Sequence, residues 1–237
     1  VSECGGATMI LIPIISPFHK GLATITKVAG QSSEGGATTK TYSDQAIGPV
    51  SANKKVIIGA SAQFVSSMTI DGNAMTKVVN AVGTGAVSTT TAIFQYNDAG
   101  SLGTTADIVL TCSQASGFHD IGIYFAVNAS DDTIDTGTVR LTNSSGSGAI
   151  WAVDVDVEDN SVAVAQMQDQ LGGETKPLVW AGLDAGTVST NGNTGGTGAT
   201  AFKAIASAAT VSVTCTMQRG QSPVGFGSMC VAAWGSG

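Results

Sequence analysis

The chain has 237 residues, of which 43% are hydrophobic and only 11% charged, compared with about 25% charged residues in typical soluble domains. The formal net charge is −7 and the ten Lys and Arg residues form no cluster, so neither nucleic acid nor an anionic membrane surface is expected as a partner. The composition can fill a hydrophobic core and predicts a surface made mainly of Thr, Ser, Asn and Gly.

Residues 1–41 are predicted to form an N-terminal arm that ends in the Gly/Ser/Thr-rich loop GQSSEGGATTK. Pro13 and Pro17 disfavour a helix and suit an extended segment. The arm contains the apolar run from Met9 to Ile15. This run is far shorter than the roughly 18 residues of a membrane helix, yet its apolar side chains are too densely spaced to remain in water. We therefore expect the arm to contact a neighbouring protein, or alternatively to supply the first strand of the fold. The side chains expected to make this contact are Met9, Ile10, Leu11, Ile12, Ile14 and Ile15.

From Lys55 onward, short segments of alternating apolar and polar residues recur between turn signals, which predicts an all-β fold. Asp71-Gly72-Asn73 and Asp98-Ala99-Gly100 are two such turns, because Gly and Asn tolerate positive φ. No segment shows a sustained helical period.

Two segments, Ala106 to Asn128 and Ala209 to Val231, resemble each other at an offset of 103 residues, since 215 − 112 = 103 places Cys112 on Cys215. Each segment is predicted to form a strand, a glycine-containing turn and a second strand.

Two architectures fit this repeat. In the first, residues 42–237 form a two-sheet antiparallel jelly-roll β-sandwich built from two repeated halves, about 42–135 and 136–237. In the second, the halves are two tandem β-sandwich domains. We favour the single sandwich because the join, VNASDDTIDTGTVRLTNSSGSG, contains a strand-like VRL and no long linker.

The sequence carries no recognisable catalytic constellation, so we predict no enzymatic activity, no metal and no cofactor. The two histidines, His19 and His119, lie 100 residues apart in the sequence without ligand-type neighbours, and His119 is expected in a solvated turn. The acidic run from Asp154 to Asp159 is a candidate calcium site, because carboxylates at alternate positions can converge on a hard cation. Valines alternate with its acids, which favours a strand with a solvated outer face.

The tryptophans Trp151, Trp180 and Trp234 lie inside strand patterns and are expected in the core. Cys112, Cys215 and Cys230 fall on the inward phase of their strands. If the second segment forms a hairpin, Cys215 and Cys230 would face each other closely enough for a disulfide; buried free thiols are the alternative.

The segments SSMTIDGNAMTKVV, TTAIFQYNDAGSLGTTADIVLT and KPLVWAGLDAG resemble the jelly-roll virion proteins of tailed bacteriophages, of the capsid decoration (cement) or tail-associated type. The resemblance extends from about Tyr42 to Trp234. It implies a non-enzymatic homo-oligomer that binds the major capsid protein or another virion protein and assembles in the host cytoplasm. Free thiols would then be expected, because that compartment is reducing.

The competing hypothesis is a secreted adhesin or carbohydrate-binding module, with a hydrolase of unrecognised site as a third and weaker hypothesis. A glycan would contact the predicted exposed loops Gln114–Asp120, Gln218–Pro223 and Thr187–Thr200, although aromatic residues, the usual stacking platforms for sugars, make up only 5% of the chain. The candidate loop residues are His119, Asp120, Arg219, Asn191 and Asn193.

Overall fold

The computed structural model describes residues 21–83, 89–98, 100–141, 148–169, 178–191, 196–218 and 227–237. Fifteen antiparallel strands make up its regular secondary structure, which confirms the all-β prediction. Within these ranges no helix is long and apolar enough to cross a membrane.

The strands fall into two groups. The first group contains β1 (Thr24–Ala46), β2 (Lys54–Gln63), β3 (Val65–Ile70), β4 (Asn73–Ala74), β5 (Thr76–Val82), β6 (Thr89–Asp98) and β7 (Thr105–Val127). The second contains β8 (Ala129–Leu141), β9 (Gly148–Val157), β10 (Ser161–Asp169), β11 (Leu178–Ala181), β12 (Asp184–Asn191), β13 (Gly196–Ile205), β14 (Ala209–Gln218) and β15 (Gly227–Ser236).

Strand pairing divides the chain at Asn128. In the described part of the chain, every pairing of β1–β7 is with another member of that group, and the same holds for β8–β15. This pairing is that of the tandem alternative rather than of one interleaved sandwich. We call residues 21–128 the N-terminal half and residues 129–237 the C-terminal half.

The two halves share one strand order. The C-terminal half has a large sheet, β8-β15-β10-β13-β12, and a small sheet, β9-β14-β11. In the N-terminal half, residues 119–127 of β7 pair with β2 while residues 108–112 pair with β3, and β1 follows β7 along both parts. Counting the two parts of β1 and β7 separately gives a large part in the order β1, β7, β2, β6, β5 and a small part in the order β1, β7, β3. This is the order of the C-terminal half, and the two-residue strand β4 is added beside β3.

The predicted hairpin from Ala106 to Asn128 is therefore wrong for the first copy, which is one strand of 23 residues. Gly117 does not turn the chain back, because β1 pairs on both sides of this point, from Phe118 on one side and Ser116 on the other. The Gly/Ser/Thr-rich stretch predicted as a loop after the arm lies in the middle of β1. Its Gly35 has φ 134°, where β1 and β7 change register. Residues 1–20 lie outside the described residues.

Each half contributes a large and a small layer of strands, and three apolar cores lie between these four layers. Ile58, Phe94 and Ile123 belong to a core inside the N-terminal half, and Trp151 and Met167 to one inside the C-terminal half. A third core lies where the two large sheets pack face to face. This interface core consists of Ala23, Ile57, Ala81, Ile93, Tyr124, Ala126, Val162, Val164, Cys230, Ala232 and Trp234.

The central strands show why the sequence folds in this way. Every residue of β10 is buried, as is every residue of β2 except the last, because each of these strands is covered on both faces. A strand with two covered faces has a continuous run of apolar and small residues rather than an alternation. VIIGASA in β2 and VAVAQM in β10 have this composition.

Candidate functional site

A pocket of about 380 Å³ lies where the two halves join. Its polar lining includes Asn53 and Lys55 at the start of β2, Asn97 near the end of β6, Asn128 between the halves and Asp131 in β8. The C-terminal residue of the chain also lines it. We call it the junction pocket.

Lys55 is the central residue of the junction pocket. It lies on the face of β2 that is covered by the C-terminal half, and it is only 2% exposed. Its ammonium donates to Asn97 Oδ1 at 2.7 Å, to the Asp131 carbonyl at 3.2 Å and to Gln95 Oε1 at 3.5 Å. Asp131 Oδ1 lies 4.0 Å from Nζ. These contacts compensate the buried charge, as burial of an ammonium requires.

Burial lowers the pKa of Lys55 to about 8, and the negative charges of Asp131 and Asp132 oppose this shift. Desolvation is the larger effect because the charged form loses its hydration in the protein interior. A lysine with such a pKa carries an appreciable fraction of neutral amine near pH 8, and a neutral amine is a nucleophile.

Gln95 connects this lysine to the C-terminal half. Its Nε2 donates to the Asp131 carbonyl at 2.8 Å, and its Oε1 accepts from Trp234 Nε1 at 2.6 Å. A hydrogen-bonded network beside the pocket thus joins β2, β6, β8 and β15. Such a network fixes side-chain positions when its members are satisfied.

Asparagines form the rim of the pocket. Asn53 Nδ2 donates to Asn128 Oδ1 at 3.4 Å, and Asn128 has a positive φ of 58°, a conformation that Asn tolerates. The backbone N–H of Gly237 donates to the Asn128 carbonyl at 2.8 Å. The rim therefore offers amide donors and acceptors, and it lies beside both the junction and the C-terminus.

The structure does not place His119 and Asp120 in an exposed loop, which corrects the sequence prediction. Both lie in β7 and are buried, with 1% and 3% exposure, because the strand continues where a turn was expected. His119 Nε2 lies 3.2 Å from the Ala37 carbonyl, while its buried Nδ1 has no hydrogen-bond partner. Burial lowers the pKa of His119, the bond to Ala37 opposes this and Lys40 adds to it.

The other candidate loop residues do not converge with the junction pocket. Arg219 and Asn193 lie outside the described residues, and Asn191 ends β12 without a described side chain. The predicted loop from Thr187 to Thr200 is mostly two paired strands, β12 and β13. Thr200, at its end, is buried. The six candidate contact residues of the arm also lie outside the described residues.

The acidic run has the predicted strand geometry. Asp154 and Asp156 are exposed on β9, while Val155 and Val157 are buried. Asp156 Oδ1 accepts from Thr210 Oγ1 at 2.7 Å. Among the residues that the structure describes, no group of three or more His, Cys, Asp or Glu is arranged to hold a metal ion.

Cys112, Cys215 and Cys230 are buried free thiols, which confirms their inward phase. Cys215 lies in the small sheet between Trp151 and Trp180, whereas Cys230 lies in the large sheet opposite Gln166. The expectation that Cys215 and Cys230 face each other is therefore wrong. Burial raises the pKa of Cys112 to about 11 and of Cys215 and Cys230 to about 12.

The outer face of the small sheet carries an exposed apolar row. Ile150, Thr216 and Val179 are direct cross-strand neighbours on β9, β14 and β11. Ile150 is 58% exposed and Val179 is 53% exposed. Ala152 and Ala181 are exposed in the adjacent row. We call Ile150, Thr216 and Val179 the outer apolar row.

Neither the outer apolar row nor the junction pocket was predicted from the sequence, for physical reasons. In AIWAV and PLVWA the inward phase is occupied by Trp151 and Trp180 and the outward phase by Ile150 and Val179, so no alternation reveals the exposed face. Because Lys55 follows Lys54, the two lysines have the sequence pattern of a solvated strand end, and nothing indicates that Lys55 is buried. Neither a protein-family profile nor a curated protein sequence matches the chain.

Proposed function

We propose that this chain is a non-enzymatic structural protein of a tailed-phage virion, a capsid decoration protein held by protein–protein contacts. The outer apolar row supports an assembly role most directly, because it is an ordered apolar surface on the outside of the sandwich. The assignment to a bacteriophage rests on the resemblance of the segment from about Tyr42 to Trp234 to the virion proteins of tailed bacteriophages.

Isolated exposed hydrophobic residues are normal on protein surfaces, but here two large ones lie in the same cross-strand row, one on each side of Thr216. Ile150 and Val179 flank Thr216 in register, and the small sheet has β9 and β11 as its two edge strands. The adjacent cross-strand row, Ala152, Thr214 and Ala181, consists of described residues without charge. Because Ile150 and Val179 are only 58% and 53% exposed, covering them contributes about half of the roughly 1.5–3 kcal/mol per side chain expected for full burial, before ordering costs.

The matching face of the N-terminal half is more polar. Its outward residues include Thr39, Thr111 and Ser67 in one cross-strand row and Thr41 and Thr69 around Val109 in the next. The two outer faces therefore differ: large exposed apolar side chains lie at one end of the small sheet, whereas these rows of the N-terminal half carry mainly hydroxyl groups. A decoration protein that binds a particle through one end and faces solvent with the other has this asymmetry.

The test uses phage particles purified from the host that produces this protein, stripped of it and incubated with recombinant chain. The wild type should co-sediment with particles, whereas the Ile150→Thr, Val179→Thr double variant should bind about tenfold more weakly or worse. Val50→Thr is the matched control, since Val50 is also 58% exposed but is not part of the outer apolar row. Particles that never contain the protein would overturn the virion assignment, and full binding by the double variant would overturn the role of the row.

The arm provides a second expected attachment. Deleting residues 1–20 should leave a chain that melts cooperatively near the wild-type temperature but binds particles less tightly, because the six apolar arm side chains would no longer reach a neighbour. If the truncated chain unfolds, the result would indicate that those side chains pack in the protein's own core instead.

A glycan-binding module is the second candidate function, and the junction pocket favours it. The pocket's volume falls within the range of about 300–1,000 Å³ common for small-ligand sites, and its rim presents the amides of Asn53 and Asn128. Binding of the monomeric chain to a glycan array, lost in Asn53→Ala, would support this function over the virion role.

A further inference from the structure

Lys55 and Asn97 are direct cross-strand partners on β2 and β6, and their side chains meet on the floor of the junction pocket. The Lys55 Nζ atom lies 2.7 Å from Asn97 Oδ1, and the Asp131 carboxylate lies 4.0 Å from the same Nζ. An amine, a carboxamide and a carboxylate are thus held together at one place. We propose that Lys55 and Asn97 join in an intramolecular isopeptide bond.

The two side chains that would react lie next to each other. Because Nζ is in hydrogen-bond contact with Oδ1, it is also close to the attached Cγ, and the pairing of β2 with β6 holds the two side chains in register. Further contacts to Gln95 and the Asp131 carbonyl restrict the ammonium to this position. Holding two reacting groups in this way replaces an encounter in solution with an intramolecular step, which is worth several orders of magnitude in rate.

The reaction balances without an oxidant, a cofactor or a second substrate. The neutral Lys55 amine forms a bond from Nζ to Asn97 Cγ, and the electron pair of the C=O bond moves onto Oδ1. When the carbonyl reforms, the bond from Cγ to Nδ2 breaks and Nδ2 leaves as ammonia with a proton from the attacking nitrogen. A primary amine and a primary amide thus become a secondary amide and ammonia.

Asp131, whose carboxylate lies 4.0 Å from Nζ, would move the proton through one bridging water. Its carboxylate accepts a proton from Nζ and returns it to the departing Nδ2, as a general acid–base group does. Its side chain is 82% exposed while that of Lys55 is 3% exposed, so the carboxylate lies between the buried amine and solvent. The lowered pKa of Lys55 supplies the neutral amine, and ammonia can leave through the junction pocket, which all three residues line.

Such a bond would link β2 covalently to β6, and it would close a loop between residues 42 positions apart. Two strands joined in this way cannot separate under heat or mechanical load without breaking a covalent bond. The bond requires no virion partner and would form in the isolated chain.

Intact-mass spectrometry of the purified full chain tests the bond. After incubation at about pH 8, where the amine is partly neutral, the wild type should weigh less than its sequence by one ammonia molecule. Lys55→Arg and Asn97→Ala should each retain the full sequence mass. Fragmentation of proteolytic peptides should show the segment containing Lys55 attached to the one containing Asn97.

Two results would overturn the bond. One is a wild-type chain that keeps its full mass after prolonged incubation. The other is an ammonia loss that persists in Lys55→Arg, because an asparagine such as Asn97 or Asn191, which precedes Gly192, would then have cyclised onto its own backbone. Asp131→Asn should slow the loss several-fold, and Asp44→Asn, which changes another exposed carboxylate, should not. Equal rates in these two variants would remove Asp131 from the mechanism.

Discussion

Trp234 donates its indole N–H to Gln95 Oε1 at 2.6 Å, which binds the last strand of the chain to a strand of the first half. Similar polar contacts cross the interface core at its other parts. Ser61 donates to Gln168 Oε1 at 2.7 Å, and the Tyr124 hydroxyl donates to Thr200 Oγ1. Apolar area between the two large sheets provides the stabilisation, and these directional bonds fix how one sheet lies on the other.

Replacing Gln95 with Leu should lower the free energy of unfolding by about 1–3 kcal/mol, because the indole N–H of Trp234 is then buried without an acceptor. Lys55 and the Asp131 carbonyl would lose a partner as well. Urea unfolding of the full chain measures the change. Gln45→Leu is the matched control, since Gln45 Nε2 bonds only the nearby Ser43 carbonyl, and it should shift stability by less than about 0.5 kcal/mol. Equal effects of the two variants would contradict a special role for Gln95.

Gly122 is predicted to be intolerant of any side chain. A Cβ atom at this position would lie 2.6 Å from Thr200 Cγ2 and 3.0 Å from Thr200 Oγ1, and Thr200 is too short to move away. Gly122→Ala should therefore destabilise the chain by about 1–3 kcal/mol through overpacking. Gly36→Ala is the control, because nothing lies within 4 Å of a Cβ there. The melting temperatures of the two variants are compared. An unchanged melting temperature for Gly122→Ala would show that the two large sheets can move apart at this point without loss of stability.

The alternation of residues predicted which side of a strand faces inward. Asp154 and Asp156 are exposed and Val155 is buried, while Cys112, Cys215 and Trp151 all lie in the core. These outcomes depend only on the period of two along one strand, which is a local property.

The partners of each strand could not be predicted in the same way. Gly117 has the local chemistry of a turn, yet pairing with β1 on both sides keeps β7 continuous, and this pairing joins residues far apart in sequence. The junction pocket was missed for a related reason. Lys55 belongs to a polar pair at a strand end, and only the packing of the second half against it makes it a buried amine.

Lowering the pH should destabilise the chain through His119. Burial lowers its pKa in the folded state, whereas the unfolded chain binds the proton with a pKa of about 6.5. The unfolded state therefore holds more protons below that pH, and stability falls as the pH drops from about 7 to 5. His119→Gln, which cannot ionise, should lose less stability over the same range. Urea midpoints that change in parallel for both proteins would contradict this origin.

Raising the pH should destabilise the chain through its buried thiols. Burial raises the pKa of Cys215 to about 12, with a smaller contribution from the charge of Asp169. Burial also raises the pKa of Cys230 to about 12, although hydrogen bonds to Thr91 and to the Gln166 and Ala81 backbones oppose this. An unfolded thiol ionises near about pH 8.5. The stability that depends on these neutral thiols is thus fully present below that pH and is lost progressively as the pH rises toward the folded values.

The comparison that isolates this effect is Cys215→Ala against the wild type, measured by urea unfolding under reducing conditions from about pH 7 to 10. The variant should be less stable at neutral pH because it leaves a cavity beside Trp151 and Trp180, yet its stability should fall less steeply as the pH rises. The two curves should therefore approach each other in alkali. Curves that stay equally far apart would show that Cys215 ionises as readily in the folded chain as in the unfolded one, and would contradict its burial between the two tryptophans.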